Sequence, residues 1–189
     1  NKLKSIPENL DSLVYLFELD LEQNQIQTLP ANIGALQSLE ILELDSNRLE
    51  SLPIELKKLK RLRKADFEFN EFTKIPVWIG DMESLEYLDF GNNHINSIPS
   101  EIGKLKNLEL FSITGNSIKS FPVEFFNLTR LQSLNISNNQ FNDLPEDMEK
   151  LINLVTILME GNTISEKRIK EINELIESHY ELPDWDIGD

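Results

Sequence analysis

No cysteine occurs among the 189 residues. That absence removes thiolate nucleophiles, disulfide staples and thiolate metal sites together, and it leaves the redox compartment open. Bases are scarce beside acids: 18 Lys and Arg stand against 33 Asp and Glu, for a net charge of −15. Such a chain repels phosphate backbones and anionic lipid heads, so nucleic acid is not expected as a partner. Long apolar runs are missing too. The stretch LINLVTILM at 151–159 is interrupted by Asn153 and Thr156 and is about half the length that a membrane span requires. The seven glycines form no phosphate-cradling loop.

What the chain has is a period. Pro7, Pro30, Pro53, Pro76, Pro99, Pro122 and Pro145 follow one another at 23-residue steps. Asparagine keeps the same step at Asn24, Asn47, Asn70, Asn93, Asn116, Asn139 and Asn162, as does an apolar column at Leu21, Leu44, Phe67, Phe90, Ile113, Ile136 and Met159. The unit opens L-x-x-L-x-L-x-x-N, continues through an apolar residue joined to proline, and ends on apolar positions at three-residue steps. Alternation around L-x-L predicts a half-buried strand, and Ile33, Leu36 and Leu39 have the step of a helical turn. Proline fixes φ and closes the loop where no donor is needed. An inward asparagine brings two donors and an acceptor, enough to satisfy backbone groups that a tight turn would leave unpaired. The asparagine column therefore reads as a structural spine.

From Leu16 to Ile164 the unit resembles the leucine-rich repeat family in its 23-residue form. The resemblance implies an α/β fold, a right-handed solenoid or horseshoe with a parallel sheet on its concave face and irregular or short helical turns on its convex side. The LP-x-x-I-G pattern at 29–34, nearly repeated at 98–103, is similar to bacterial members, including secreted or surface-displayed spirochaete-type proteins, and to the Ras-associated scaffolds of eukaryotes. Lys57, Phe126 and Glu149 stand where those units have glycine.

Residues 1–164 thus read as the solenoid, a partial N-terminal coil followed by seven repeats. Asn1, Leu3 and Ile6 fall in the columns of a coil whose strand is missing; removal of upstream residues, with any signal peptide or lipid anchor among them, is the expectation. Residues 165–178 read as a capping helix, with Ser165 as N-cap, Ile164 and Ile169 spaced as a hydrophobic staple, and one stripe of Ile169, Ile172, Leu175 and Ile176. The tail at 179–189 is acidic and holds Trp185; it is expected to lie loosely against the cap or to be mobile, with a short binding peptide as the lesser alternative. Seven phenylalanines, Phe67, Phe72, Phe90, Phe111, Phe121, Phe125 and Phe141, fall in core columns, whereas Phe17, Phe69 and Phe126 do not. Ala65 leaves volume for Phe67 and Phe72 to fill. Trp78, in an otherwise polar column, is expected on the exposed convex side.

The outward strand positions carry the functional signal. They hold Glu18, Asp20 and Glu22, then Ile41, Glu43 and Asp45, then Lys64, Asp66 and Glu68, then Tyr87, Asp89 and Gly91. Farther on they hold Leu110, Ser112 and Thr114, then Ser133, Asn135 and Ser137, with no charge. Stacked like charges cost stability unless a cation or basic partner offsets them. Elsewhere the signs alternate between repeats, as in Glu40, Arg63, Glu86, in Lys58, Asp81, Lys104 and in Lys60, Glu83, Lys106, which reads as structural pairing. Ile41, Tyr87 and Leu110 share one outward column, with Phe69 at the strand's end. An acidic field with apolar anchors suits a protein partner, because charge orients the encounter and buried anchors hold it.

The resulting expectation is a non-enzymatic, monomeric interaction module without a cofactor, binding a basic or mixed-charge protein segment. A secreted or cell-surface location is favoured over the cytoplasm, with host proteins as the partners that the bacterial resemblance implies. The alternatives are an intracellular scaffold of the Ras-associated type and a divalent-cation solenoid in which strand carboxylates supply oxygen ligands. Catalysis finds little support: His94 lies in a variable outward column, His179 lies in the tail, and acids on an open face lack the desolvated pocket that separates two pKa values. The sequons at Asn127-Leu-Thr129 and Asn135-Ile-Ser137 matter only in a eukaryotic secretory route.

Overall fold

The computed structural model describes residues 2–7 and 9–179, apart from the Asp11 side chain. The acidic tail beyond His179, Trp185 included, lies outside the described residues. Seven three-residue strands form one parallel sheet in chain order: β1 (Glu18–Asp20), β2 (Ile41–Glu43), β3 (Lys64–Asp66), β4 (Tyr87–Asp89), β5 (Leu110–Ser112), β6 (Ser133–Asn135) and β7 (Thr156–Leu158). Each residue pairs with the one 23 positions on, as Leu42 does with Ala65 and Ala65 with Leu88. Side chains alternate across a strand, so the central residue of each faces the core and its two neighbours face the other way.

Between strands the chain makes one short 3-10 turn per repeat, from Ala31–Ala35 to Glu146–Lys150, each entered from proline. Pro53 and Pro76 hold φ at −67° and −66°, and the proline carbonyl accepts the amide three residues on, as Pro76 does from Ile79 at 2.9 Å. The turns stack closely because some positions lack a side chain. A Cβ on Gly34 would meet the Glu55 carbonyl oxygen at 2.6 Å, and Gly80 and Gly103 face Glu101 and Glu124 in the same way. Where Lys57 and Phe126 replace glycine, the turn packs less tightly on its successor.

That looser step corrects the expectation for Phe126. It is buried, with its ring centroid 5.7 Å from Phe125 and 5.9 Å from Phe121, and it fills space that a glycine would have closed. Trp78 is also not the exposed side chain expected. It is half-buried against the core and lines a groove of ≈ 360 Å³ with Leu52, Phe72 and Ile75. Beside Ala65, the Phe67, Phe72 and Phe90 rings lie 4.9 to 5.9 Å apart.

The spine is a hydrogen-bond ladder. Asn93 Oδ1 accepts the Phe72 amide at 3.0 Å, while its Nδ2 donates to the carbonyls of Phe67, Phe90 and Gly91 at 3.0, 3.1 and 2.8 Å. Asn47, Asn70, Asn116 and Asn139 do the same in their own coils. After β7 the repeat stops and α1 (Glu166–Ser178) lies over the last coil. Ser165 Oγ accepts the Arg168 amide, Ile172 and Ile176 are buried, and Arg168 Nη2 donates to the Leu144 carbonyl at 2.8 Å.

Candidate protein-binding face

Strand register decides which side chains meet. Glu18, Ile41, Lys64, Tyr87, Leu110 and Ser133 are successive partners in one column, and Asp20, Glu43, Asp66, Asp89, Ser112 and Asn135 in the next. The third column lies just beyond the strands, where hydrogen bonds between neighbouring coils continue: the Ser46 amide donates to the Glu68 carbonyl at 2.9 Å and the Phe69 amide to that of Gly91 at 3.0 Å. Glu22, Asp45 and Glu68 are therefore brought side by side as well.

Exposure along this face is uneven. Glu18, Asp20 and Glu22 are exposed or nearly so at the open end; Ile41, Glu43, Asp45, Lys64, Asp66, Glu68, Tyr87 and Leu110 are half-buried; Phe69 is 54% exposed. Asp89 keeps its place in the outward column but not the exposure expected of it, being only 7% exposed. It lies between Asp66 and Ser112 in the middle of the sheet, and its Oδ1 accepts the Gly91 amide at 2.6 Å. Asp20 and Asp66 close the ends of their own strands in the same way, on the amides of Glu22 and Glu68 at 3.0 and 3.1 Å. Part of the acidic column thus serves local turns, the common role of an aspartate two residues before a bend.

The ladder is also partly compensated. Lys64 Nζ lies 2.6 Å from Glu43 Oε1 and 5.2 Å above the Tyr87 ring, a cation held between a carboxylate and an aromatic face. That hydrogen bond raises the Lys64 pKa. The Tyr87 hydroxyl stands 3.4 Å from Asp66 Oδ2 and 3.5 Å from Asp89 Oδ2. Burial pushes the Asp89 carboxyl up to about 7, with the Asp66 charge adding to it; burial likewise raises Asp66 and the Tyr87 phenol. Glu22 is raised first by Asp45 and then by Asp20. Charge on this face is therefore mutually repulsive, as the stacked columns require.

Elsewhere the alternating ladders pair, with changed partners in places. Arg63 binds Glu86 through Nε and Nη2 at 2.8 and 2.6 Å, with Glu40 at 3.9 Å. Asp81 takes Lys57 at 3.3 Å rather than Lys58, and Lys60 reaches the Asp81 carbonyl at 3.1 Å rather than Glu83. His94 is exposed. Among the described residues no three acids or histidines converge as a metal-holding group.

One column escaped the sequence reading. Gln23, Ser46, Phe69, Asn92 and Asn138 have φ between 50° and 56°, and Gly115 and Gly161 occupy the equivalent place at 64° and 72°. Asparagine and glycine at four of those seven positions are the readable signal of a left-handed residue. Asn92 also joins the face, its Nδ2 donating to Glu68 Oε1 at 2.9 Å. Phe69 fits neither class: a large aromatic at φ 50° is strained.

The family model of the leucine-rich repeat region matches residues 3–92 and 85–179, nearly the whole chain. The chain belongs to the leucine-rich repeat family. Leucine-rich repeat regions of this kind are non-enzymatic protein-interaction scaffolds. A solved leucine-rich repeat protein of Leptospira interrogans is 31% identical with a TM-score of 0.87, over 94% of this chain and 51% of its own. This leucine-rich repeat chain therefore spans about half the length of that spirochaete protein. An internalin of Listeria monocytogenes is 25% identical with a TM-score of 0.75, over 91% of this chain and 48% of its own. The ectodomain of an Arabidopsis thaliana membrane receptor kinase, solved in complex with Casparian strip integrity factor 2, is 33% identical with a TM-score of 0.77, over 84% of this chain and 20% of its own. No curated protein sequence matches the chain. Among the described residues no helix is long and apolar enough to cross a membrane.

Proposed function

We propose that this leucine-rich repeat region binds a basic or mixed-charge protein segment through the concave face of its first five strands. The observation that carries the reading is the register: it sets Glu22, Asp45 and Glu68 side by side and places Ile41, Tyr87 and Leu110 in one column with Phe69 beyond them. The repulsion written into that face is relieved by an incoming cationic segment, while the apolar side chains supply contacts that exclude water. The partner is met outside the cell or at its surface, with host proteins as the class that the bacterial resemblance implies.

The test is charge reversal where the fold can bear it. Asp20, Asp45 and Glu68 are partly or fully exposed, so Asp20→Lys, Asp45→Lys and Glu68→Lys together are expected to leave a folded solenoid. Affinity for a labelled peptide alternating lysine and leucine is expected to fall at least tenfold, roughly 1.4 kcal/mol, and its salt dependence to flatten. Equal affinity and an unchanged salt slope for the reversed protein would sink the reading.

A further inference from the structure

One column of the concave face changes character part-way along the sheet while its local job stays the same. Asp20, Asp66 and Asp89 each accept the amide two residues on, from Glu22, Glu68 and Gly91. Asn135, in that column on β6, accepts the Ser137 amide at 3.1 Å through its Oδ1. The turn therefore asks for an oxygen and not for a charge, and an amide serves it as a carboxylate does. The rest of the side chain differs. A carboxylate only accepts, whereas the Asn135 Nδ2 is a donor, and it has no partner among the described residues. The hydroxyls of Ser133, Ser137 and Thr156 have none there either. Ser133, Asn135 and Ser137 are half-buried, Thr156 is exposed and Leu158 beside them is 48% exposed, so a ligand can reach these groups. In the three outward columns after Gly91, Glu160 at the far end is the one charged residue.

We propose that β6 and β7 form a second recognition surface for the segment that the acidic half takes up, an inference that rests on the concave face being the binding surface. The segment is bipartite and lies in one direction. Its basic stretch crosses β1 to β4, and an uncharged stretch rich in acceptors, peptide carbonyls with serine-, threonine- or asparagine-type side chains, crosses β6 and β7. A lysine placed there gives up water with no carboxylate of β6 opposite it. An anion faces Glu160 on one side and the acidic half on the other. An uncharged acceptor meets the Asn135 amide and the neighbouring hydroxyls without either penalty, with Leu110 and Leu158 as apolar contacts on the flanking strands.

Strand spacing sets the length of the segment. At about 4.8 Å per strand the sheet measures about 29 Å from β1 to β7. An extended chain rising ~3.3 Å per residue covers that in about nine residues, of which roughly the last three lie over β6 and β7.

The experiment compares a pair of peptides of about nine residues at about 0.15 M salt. One alternates lysine and leucine throughout; the other starts in the same way and ends in serine, asparagine and serine. Both are titrated into the unaltered chain, into Ser133→Ala with Ser137→Ala, into Asn135→Asp, and into the Asp20→Lys, Asp45→Lys and Glu68→Lys protein. The serine hydroxyls have no internal partner to lose, and Asn135→Asp keeps an oxygen for the Ser137 amide, so these variants are expected to fold, with circular dichroism as the check. The serine variant is expected to bind the neutral-ended peptide about fivefold more weakly and the all-lysine–leucine peptide unchanged. On Asn135→Asp the ratio of the two affinities is expected to swing about tenfold toward the all-lysine–leucine peptide. A nitroxide on the neutral end is expected to broaden the amide resonances of β6 and β7, and one on the basic end those of β1 and β2. If the serine variant binds the neutral-ended peptide unchanged, or the two labels broaden the same strands, the bipartite reading is overturned, and weakening of both peptides by the triple reversal then leaves the acidic half standing. No binding of either peptide, or binding indifferent to the triple reversal, overturns both.

Discussion

Phe69 is the residue at which local and global demands conflict. Its backbone lies at φ 50°, a conformation that costs an L-residue with a side chain about 1–2 kcal/mol, and its ring is more than half exposed, so packing returns little of that cost. Asn92 and Asn138 adopt the same φ one and three repeats on, and asparagine tolerates it through its short polar side chain. Phe69→Asn is therefore expected to raise stability by about 1 kcal/mol in denaturant titration while weakening peptide binding severalfold. Equal affinity for the two proteins would show that the ring takes no part in recognition. The position was readable only in part: the sequence marks the column as rich in asparagine and glycine, but φ is a property of the folded turn. Asp89 illustrates the same limit. Its place in the outward column follows from counting, whereas its burial follows from the neighbours on either side.

Each coil depends on its asparagine rung. Strands of three residues offer few hydrogen bonds, and the turns that follow would leave amides and carbonyls stranded. Asn93 makes four bonds to backbone groups of two coils. Replacing it with alanine leaves those groups buried without partners and is expected to lower stability by about 1–3 kcal/mol in urea titration; a loss below the error of that measurement would refute the spine role. The spine was legible from its 23-residue step alone, because a small amide repeated at an inward position has few other uses. Phe126 was not. Its burial depends on the gap left when a turn lacks glycine, and that gap exists only once two turns are stacked.

A chain with net charge −15 that stacks acids in columns is a proton-linked fold as a whole. Asp66, Asp89 and Glu22 have pKa values raised by folding, so between their unfolded and folded values the native state binds more protons than the unfolded one. The stabilisation is present below the ordinary carboxylate value and is lost as pH rises through the folded value. For Asp89 that window runs from about pH 4 to 7. Urea-derived stability is therefore expected to fall as pH rises across it, by about 3 kcal/mol from Asp89 if it acts alone, and Asp89→Asn should flatten most of the slope. A flat profile in the unaltered protein would contradict the coupling. Glu171, lowered by its hydrogen bond from Arg168, works in the opposite sense at the exposed cap. The period, the core columns, the spine and the sharing of faces are all legible in the chain's letters, because each depends on identity and spacing, and a constant spacing is carried unchanged into a stack. Packing between coils sets how deep each acid lies, which cation neutralises which acid, and where a turn opens enough to bury a ring. Those outcomes depend on side chains from neighbouring coils competing for the same volume and the same charge, and no single repeat contains both competitors.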